Sequence, residues 1–455
     1  MDTLLHYITT LLQIIIHQTY HHSLVLAITG LIILYKLWNK TTPIYLLDFV
    51  CYKPSDSYRV PISMFIEHLE IDNTLDEESR CFQTKMLEKS GFGDETHVSE
   101  SLKQLPITKR LSFSNEEAET VILSIVQQLL DKNNLNPKSI DILITNCSMF
   151  SPTPSLSSMI VNKFGLRSNI KSFNLSGMGC SAGIVSVSLA RDLLRVHPES
   201  LALVVSTEIL SLNWYYGKNR SMLLTNCLFR MGGVALLMSS GNKDKRKAKY
   251  ELQHLIRTNK ASEDRSYQCV FQDVDDEGNV GVSLAKDILH VAGDALKTNI
   301  ASLGPLVLPY SELFKYGMSF LIRKVMKWRR KTTSMYTPNF KKAFEHFCIH
   351  AGGRGVIQAI EVSLGLSKED VEASNMTLYR FGNTSSSSIW YELCYIEAKG
   401  KMKSGDRVWQ IAFGSGFKCN SAVWKCVSDV GREEENAWMD RIHLYPVDVP
   451  AVVKN

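Results

Sequence analysis

One thiol stands out by its neighbours. Cys180 lies in Gly177-Met-Gly-Cys-Ser-Ala-Gly183, at the first turn of a predicted helix over Gly179 to Val196 whose body, Ile184 to Leu194, is largely apolar. A helix amino terminus stabilises negative charge, so thiolate formation is favoured there, and the flanking glycines let a substrate approach the backbone closely. The chemistry this suits is nucleophilic: attack on a carbonyl and storage of an acyl group on sulfur. We read Cys180 as that nucleophile and most of the other nine cysteines as inert buried fillers. The glycines lack the G-x-G-x-x-G register and an acidic partner, so a dinucleotide loop is the weaker reading.

A cysteine nucleophile needs a proton partner. His350, in Cys-Ile-His-Ala-Gly-Gly-Arg, ends a predicted strand just before a glycine turn and is positioned to reach a shared site. His346 lies inside the same strand, where a histidine is more often a satisfied core or surface residue. Asn383, in Arg380-Phe-Gly-Asn-Thr-Ser-Ser-Ser-Ser, precedes a helix; it serves either as a helix cap or as an amide donor. An amide beside a neutral imidazole makes a donor pair suited to an oxyanion.

The elements that position these residues alternate. Ser114-Asn-Glu-Glu has capping-box spacing ahead of a helix over Ala118 to Leu130. Strands follow at Ile140 to Thr145, Ile170 to Leu175, Leu201 to Thr207 and Val234 to Met238, with helices between them. The back of the chain repeats the order in shorter form: strand Phe344 to Ile349, helix Val356 to Leu364, strand Met376 to Tyr379, helix Ser387 to Ala398, strands Val408 to Phe413 and Ala422 to Val427. This predicts an α/β architecture with a mainly parallel sheet, and Cys180, His350 and Asn383 all fall at strand-to-helix turns, where such sheets gather reactive groups.

Composition bounds the rest. The 455 residues are 45% hydrophobic and 21% charged, enough apolar content for folded cores and not for a disordered chain. Lys and Arg total 51 against 46 Asp and Glu, a net +5 too small for a dedicated nucleic-acid binder. The ten cysteines form no C-x-x-C pair and no zinc-ligand spacing. From Thr3 to Tyr35 there is no Asp, Glu, Lys or Arg. Such a run, roughly 50 Å long as a helix, exceeds the about 30 Å of a bilayer core. His17 to Ser23 divides it, so it reads as one or two short crossings; the start Met-Asp and the lack of a small-residue cleavage site argue for an anchor and against a cleaved signal. Lys36, Lys40, Lys53 and Arg59 follow it and predict that the bulk of the chain faces the cytosol.

Several strings together resemble the plant 3-ketoacyl-CoA synthases, the condensing enzymes of very-long-chain fatty acid elongation. They are Leu47-Asp-Phe-Val-Cys-Tyr-Lys-Pro, Asn146-Cys-Ser-Met-Phe-Ser-Pro-Thr-Pro-Ser, Asn174-Leu-Ser-Gly-Met-Gly-Cys-Ser-Ala-Gly, Leu303-Gly-Pro-Leu-Val-Leu-Pro and Phe381-Gly-Asn-Thr-Ser-Ser-Ser-Ser. The resemblance, which spans nearly the whole chain, implies a thiolase-like fold of duplicated α-β-α-β-α layers, chalcone synthase-like, with an amino-terminal anchor in the endoplasmic reticulum membrane. It implies a Cys-His-Asn triad, carried here onto Cys180, His350 and Asn383. The implied substrates are a long-chain acyl-CoA and malonyl-CoA, with no metal or redox cofactor. The implied partners are the lipid membrane, a second copy or a related condensing enzyme in a dimer, and the reductases and dehydratase of an elongase.

Under that resemblance the chain divides into an anchor at 1–40, a lead-in at 41–110, a first half with Cys180 at 111–300, a basic amphipathic insertion at 301–340, and a second half with His350 and Asn383 at 341–455. Two positions depart from the family pattern: Asn259 in Leu255-Ile-Arg-Thr-Asn-Lys and Tyr379 in Leu378-Tyr-Arg-Phe-Gly-Asn stand where relatives usually carry histidine. Asn259, Tyr379 and His346 are therefore supporting candidates, and a catalytically silent regulatory member stays open as the alternative. Within the insertion, apolar Phe314 to Ile322 precedes the basic stretch Arg323 to Lys331, which suits a solvated face, an anionic membrane surface or CoA phosphates.

Overall fold

The computed structural model describes residues 42–72, 75–325 and 336–449. The anchor expected at 1–40 and the basic residues after Val325 lie outside them. Among the described residues no helix is long and apolar enough to cross a membrane.

The scaffold is one nine-stranded sheet in the order β3-β2-β4-β5-β1-β6-β11-β10-β9. Its strands are β1 (Tyr45–Cys51), β2 (Ile142–Asn146), β3 (Lys171–Leu175), β4 (Leu201–Thr207), β5 (Gly233–Ser239), β6 (Tyr250–Asn259), β9 (His346–Ile349), β10 (Arg407–Gly414) and β11 (Lys418–Cys426). A separate hairpin pairs β7 (Val270–Val274) with β8 (Val280–Leu284). Read outward from the centre, where β1 meets β6, β1-β5-β4-β2 of the first half corresponds in chain order to β6-β11-β10-β9 of the second, and β3 has no counterpart among the described residues.

Two expectations about this sheet fail. It is not mainly parallel: only β2–β3, β2–β4 and β9–β10 run parallel, while β1–β5, β1–β6, β4–β5, β6–β11 and β10–β11 are antiparallel. β10 and β11 are joined by a turn too short for a parallel crossover. And Met376 to Tyr379, the expected counterpart of β3, is not a strand but part of a helix, Glu372–Phe381. Ala373, Thr377 and Phe381 are buried at helical spacing there, with Glu372 in the first turn and Arg380 in the last, as the helix dipole favours. The capping box also fails. The helix runs over Leu111–Lys132, so Ser114 lies inside it. Glu117, which would close the box, instead accepts hydrogen bonds from the Leu210 and Ser211 backbone N–H groups at 3.0 and 2.9 Å.

Alternation along the strands separates the cores. One face of β2, β4 and β5, with Ile144, Val204 and Leu236, packs on the central helices Ala182–Val196 and Ser388–Ala398. The other face, with Leu143, Val205 and Leu237, packs on Leu111–Lys132. In the second half, Val408, Ala422 and Trp424 face the central helices, and Trp409, Ile411 and Val423 face Ile288–Val307 and Arg354–Leu364. Helix, sheet, paired central helices, sheet and helix are thus stacked in five layers. A buried charge cluster braces the stack: Lys249 reaches Asp48, Glu397 and Glu433 at 3.0, 3.4 and 2.8 Å, and Lys132 reaches Asp48 and Glu433 at 2.8 and 2.6 Å. Burial would lower the Lys249 pKa, but the three carboxylates outweigh it and raise the pKa.

The central layer is tied to the first half by Tyr391, whose hydroxyl donates to the Tyr52 carbonyl at 2.5 Å and accepts from Gly233 N–H at 3.3 Å. Tyr391→Phe is expected to destabilise the detergent-solubilised full chain by about 1–2 kcal/mol in denaturant titration, because it strands buried polar groups without removing ring packing; an unchanged midpoint would show that this tie contributes nothing.

Candidate active site

Cys180 sits between β3 and the helix Ala182–Val196, in a turn that only glycine accommodates. Gly177 and Gly179 have φ of +65° and +69°, and a Cβ on Gly179 would lie 2.3 Å from the backbone nitrogen of Ser415 in the β10–β11 turn. The thiol therefore stands two residues ahead of the helix rather than in its first turn, and the expected activation by the helix terminus is overcome. Burial pushes the Cys180 pKa up to about 12, with the Glu208 carboxylate adding to the rise and the Ser385 hydroxyl and the Cys180 backbone N–H opposing it.

His350 directly follows β9 and is 4% exposed, with its backbone N–H bonded to the Ile411 carbonyl at 2.9 Å. Burial lowers its pKa to about 4, so the imidazole is neutral at physiological pH. Its Nδ1 finds no hydrogen-bond partner among the described residues. A Cβ on Gly352 would come within 3.0 Å of the imidazole, so the glycine turn foreseen after this strand lets the ring sit where it does.

Asn383 is not at a strand-to-helix turn as expected, since the strand before it is the helix Glu372–Phe381; it lies in the turn between that helix and Ser388–Ala398. Its amide Nδ2 donates to the Gly352 carbonyl at 3.2 Å and its Oδ1 accepts from Ser385 N–H at 2.8 Å. One amide hydrogen is thus committed to the His350 turn and the other remains to serve a ligand.

The cavity that these residues share has a volume of about 500 Å³. Cys180, His350 and Asn383 all line it, with Leu102, Trp214, Phe229, Phe271, Leu284 and Ile288 among its apolar walls. The three supporting candidates are not on its lining. His346 Nε2 pairs with Asp406 at 2.9 Å, the exposed Asn259 caps its own turn through Ala261 N–H at 3.0 Å, and the Tyr379 ring packs against Tyr445. Among the described residues no cluster of His, Cys, Asp and Glu could hold a metal ion.

Two lining residues escaped the sequence reading. Glu208 follows β4 and is 5% exposed, and its carboxylate accepts from Met149 N–H at 2.8 Å, Ser148 N–H at 3.3 Å and the Ser385 hydroxyl at 3.1 Å. Burial raises its pKa against those donors. Ser385 adopts φ of +56° and its hydroxyl reaches both Glu208 and Cys180. The signal was present: Val204-Val-Ser-Thr-Glu208-Ile-Leu carries a lone carboxylate inside an otherwise uncharged run.

Ser385→Ala should slow acyl loading of Cys180 by roughly tenfold, the effect of losing one hydrogen bond to a developing thiolate; single-turnover trapping of labelled acyl group on the protein measures it, and an unchanged rate removes Ser385 from the site. His350 and His97 are both lowered by burial from 6.5 to about 4, so between these values the unfolded chain binds more protons than the folded one. The stability these neutral rings confer is complete above pH 6.5 and is lost progressively as the pH falls toward 4. Melting temperatures across that window should fall with acidification and the slope should flatten in His97→Gln; an identical slope in the variant would exclude His97 as a source.

The sequence profile of the FAE1/type III polyketide synthase-like proteins matches residues 36–325, and that of the 3-oxoacyl-[acyl-carrier-protein] synthase III C terminus matches 341–426. Among solved structures, the fold is similar to 1,3,6,8-tetrahydroxynaphthalene synthase from Streptomyces coelicolor, a bacterial type III polyketide synthase, with a TM-score of 0.64 and 18% identity over 84% of this chain and 99% of that one. Among curated proteins from Arabidopsis thaliana, the chain is 58% identical to probable 3-ketoacyl-CoA synthase 21, over 92% of this chain and 91% of that protein. It is 56% identical to 3-ketoacyl-CoA synthase 7, over 94% and 93%. With the thiolase-like layers around the cavity, these matches mean that the chain belongs to the 3-ketoacyl-CoA synthase family.

Proposed function

We propose that this condensing acyltransferase joins a long-chain acyl-CoA to malonyl-CoA, giving a 3-ketoacyl-CoA two carbons longer, carbon dioxide and free CoA. The observation that carries the reading is the convergence of a thiol, a neutral imidazole and a half-committed amide on one apolar cavity. In the first step Cys180 sulfur attacks the acyl thioester carbonyl, its proton passes to His350, and CoA leaves with that proton. Because both groups are neutral at rest, proton transfer accompanies attack instead of preceding it as a thiolate–imidazolium pair. Malonyl-CoA then loses its carboxylate as carbon dioxide, and the electron pair of the broken bond becomes an enolate. The imidazole N–H of His350 and the free amide hydrogen of Asn383 donate to the enolate oxygen as its charge grows. The enolate carbon attacks the acyl–Cys180 carbonyl, the new carbon–carbon bond forms, the carbon–sulfur bond breaks, and the departing sulfur takes up a proton from water to restore the thiol, its own proton having left with CoA.

The apolar walls suit an acyl chain, and a tail that prefers lipid suits a chain anchored by its uncharged Thr3–Tyr35 run in the endoplasmic reticulum membrane with its catalytic part toward the cytosol. The exposed edge strand β3 supports a dimer with a second copy or a related condensing enzyme, and the 3-ketoacyl product requires a reductase and a dehydratase to continue elongation. No described residue favours a silent regulatory partner, since the thiol, imidazole and amide are all present.

Microsomes carrying the full chain, given labelled malonyl-CoA and a series of acyl-CoAs, should release carbon dioxide and form elongated 3-keto products. Cys180→Ala should abolish these products, and Asn383→Ala should still load acyl groups while condensing roughly a hundredfold more slowly. Equal elongation by wild type and Cys180→Ala would sink the enzyme reading.

A further inference from the structure

The helix Tyr310–Val325 carries large apolar side chains that stand exposed, with nothing among the described residues covering them. Its inward side is fully accounted for. Glu312 is buried and accepts from the Tyr336 hydroxyl at 2.5 Å, from Asn339 N–H at 3.1 Å and from Lys342 at 2.7 Å, and Leu313 packs into the second-half outer core. Outward, Tyr310, Phe314, Met318 and Leu321 follow one another at helical spacing along a single stripe, flanked by Phe320 and Ile322. Tyr310 is 91% exposed and Phe314 70%, far above what a large apolar side chain keeps when a neighbour covers it.

The exposed charges described on this helix have one sign. Its only acid, Glu312, is turned inward, while Lys315 at the margin of the stripe is exposed, as is Arg323 near the helix end on the Glu312 side. A basic side chain at the margin of an aromatic and aliphatic face, with tyrosine at its edge, has the chemistry of a helix lying in the headgroup layer: rings and aliphatic groups sink to the acyl boundary, and cations meet lipid phosphate and carboxylate groups. In sequence the chain continues beyond Val325 with four more cations and no acid through Lys331, which keeps the local charge positive.

We infer that the outward face of Tyr310–Val325 docks on an anionic lipid surface, giving the catalytic body a membrane contact of its own, separate from the front segment. This rests on the reading that the chain works at a membrane, and it adds where the body touches it. A surface that also accepts the acyl tail fits a cavity walled by Ile288 and Ala292, on the helix Ile288–Val307 that immediately precedes this one in the chain.

The test uses the full chain in liposomes of phosphatidylcholine with or without phosphatidylserine. A photoreactive benzoyl-phenylalanine is placed at Phe314, or at Leu321 in a second variant, and at Val196, an exposed apolar residue on another helix, as reference. A further variant carries the probe at Leu26, within the uncharged front run. Illumination should yield lipid adducts at Phe314 and Leu321 roughly fivefold above those at Val196, rising when phosphatidylserine is included. Adducts no greater than at Val196, adducts indifferent to phosphatidylserine, or cross-links to a second copy or another protein each overturn the inference. If Leu26 is labelled by lipid while Phe314 and Leu321 are not, the docking face alone is wrong; if none is labelled, the membrane reading falls with it.

Discussion

Two backbone hydrogen bonds hold the site together. Asn383 N–H donates to the Leu228 carbonyl at 3.3 Å, and Arg230 N–H donates to the Asn383 carbonyl at 2.9 Å, so a residue of the second half is held in register against the first. The side chains follow from that register. Ser386 donates to Asn146 at 2.8 Å and Ser385 to Glu208, which carries the first half's hydrogen bonding to Cys180. The approach is so close that a Cβ on Gly382, at φ of +70°, would fall 2.4 Å from the Arg230 side chain. Arg230 itself is buried with no carboxylate partner among the described residues. Its guanidinium donates to the Phe229 carbonyl at 2.8 Å and to Thr96 at 3.2 Å and lies over the Phe92 ring at 4.8 Å. Burial lowers its pKa to about 10, so even this desolvated cation keeps its proton at neutral pH.

Within the site thus assembled, desolvation outweighs every local dipole. A cysteine near a helix start, a histidine and a carboxylate form a set that would ionise readily in water, yet burial raises the pKa values of Cys180 and Glu208 and lowers that of His350. Cys180 and His350 therefore both rest uncharged, which suits a site that takes an acyl chain. Charge then develops where the donors already point, and a dry surrounding strengthens each of their hydrogen bonds.

How much of this was legible depended on how local each feature is. Cys180 was readable because its glycines are a contiguous string, and His350 because a glycine turn follows an apolar strand. Asn383 was singled out for its string while its setting was misread, because Met376 and Leu378 alternate like strand residues and only tertiary packing selects the helix. The mixed pairing of the sheet was hidden for the same reason: β1 belongs to a segment that reads as an irregular lead-in, yet it occupies the centre of the sheet beside β6. Glu208 and Ser385 were invisible as a pair, being 177 positions apart and joined only through space. The strand order of the halves was easier to see than their shared residues, since fold symmetry constrains element types more tightly than side chains.

The β7–β8 hairpin is the one stretch of strand in the cavity wall, among the described residues, that stands outside the nine-stranded sheet. Val270, Phe271, Gln272, Val282 and Leu284 face the cavity from it, yet no strand of the main sheet pairs with it and the hydrogen bonds that unite the halves pass elsewhere. Its side chains can therefore vary in bulk without disturbing the register of Asn383 or the turn at Cys180. Such a division leaves the reactive centre constant while the space beside it is free to diverge, so that one scaffold can give rise to a set of paralogues that differ in the acyl groups they admit.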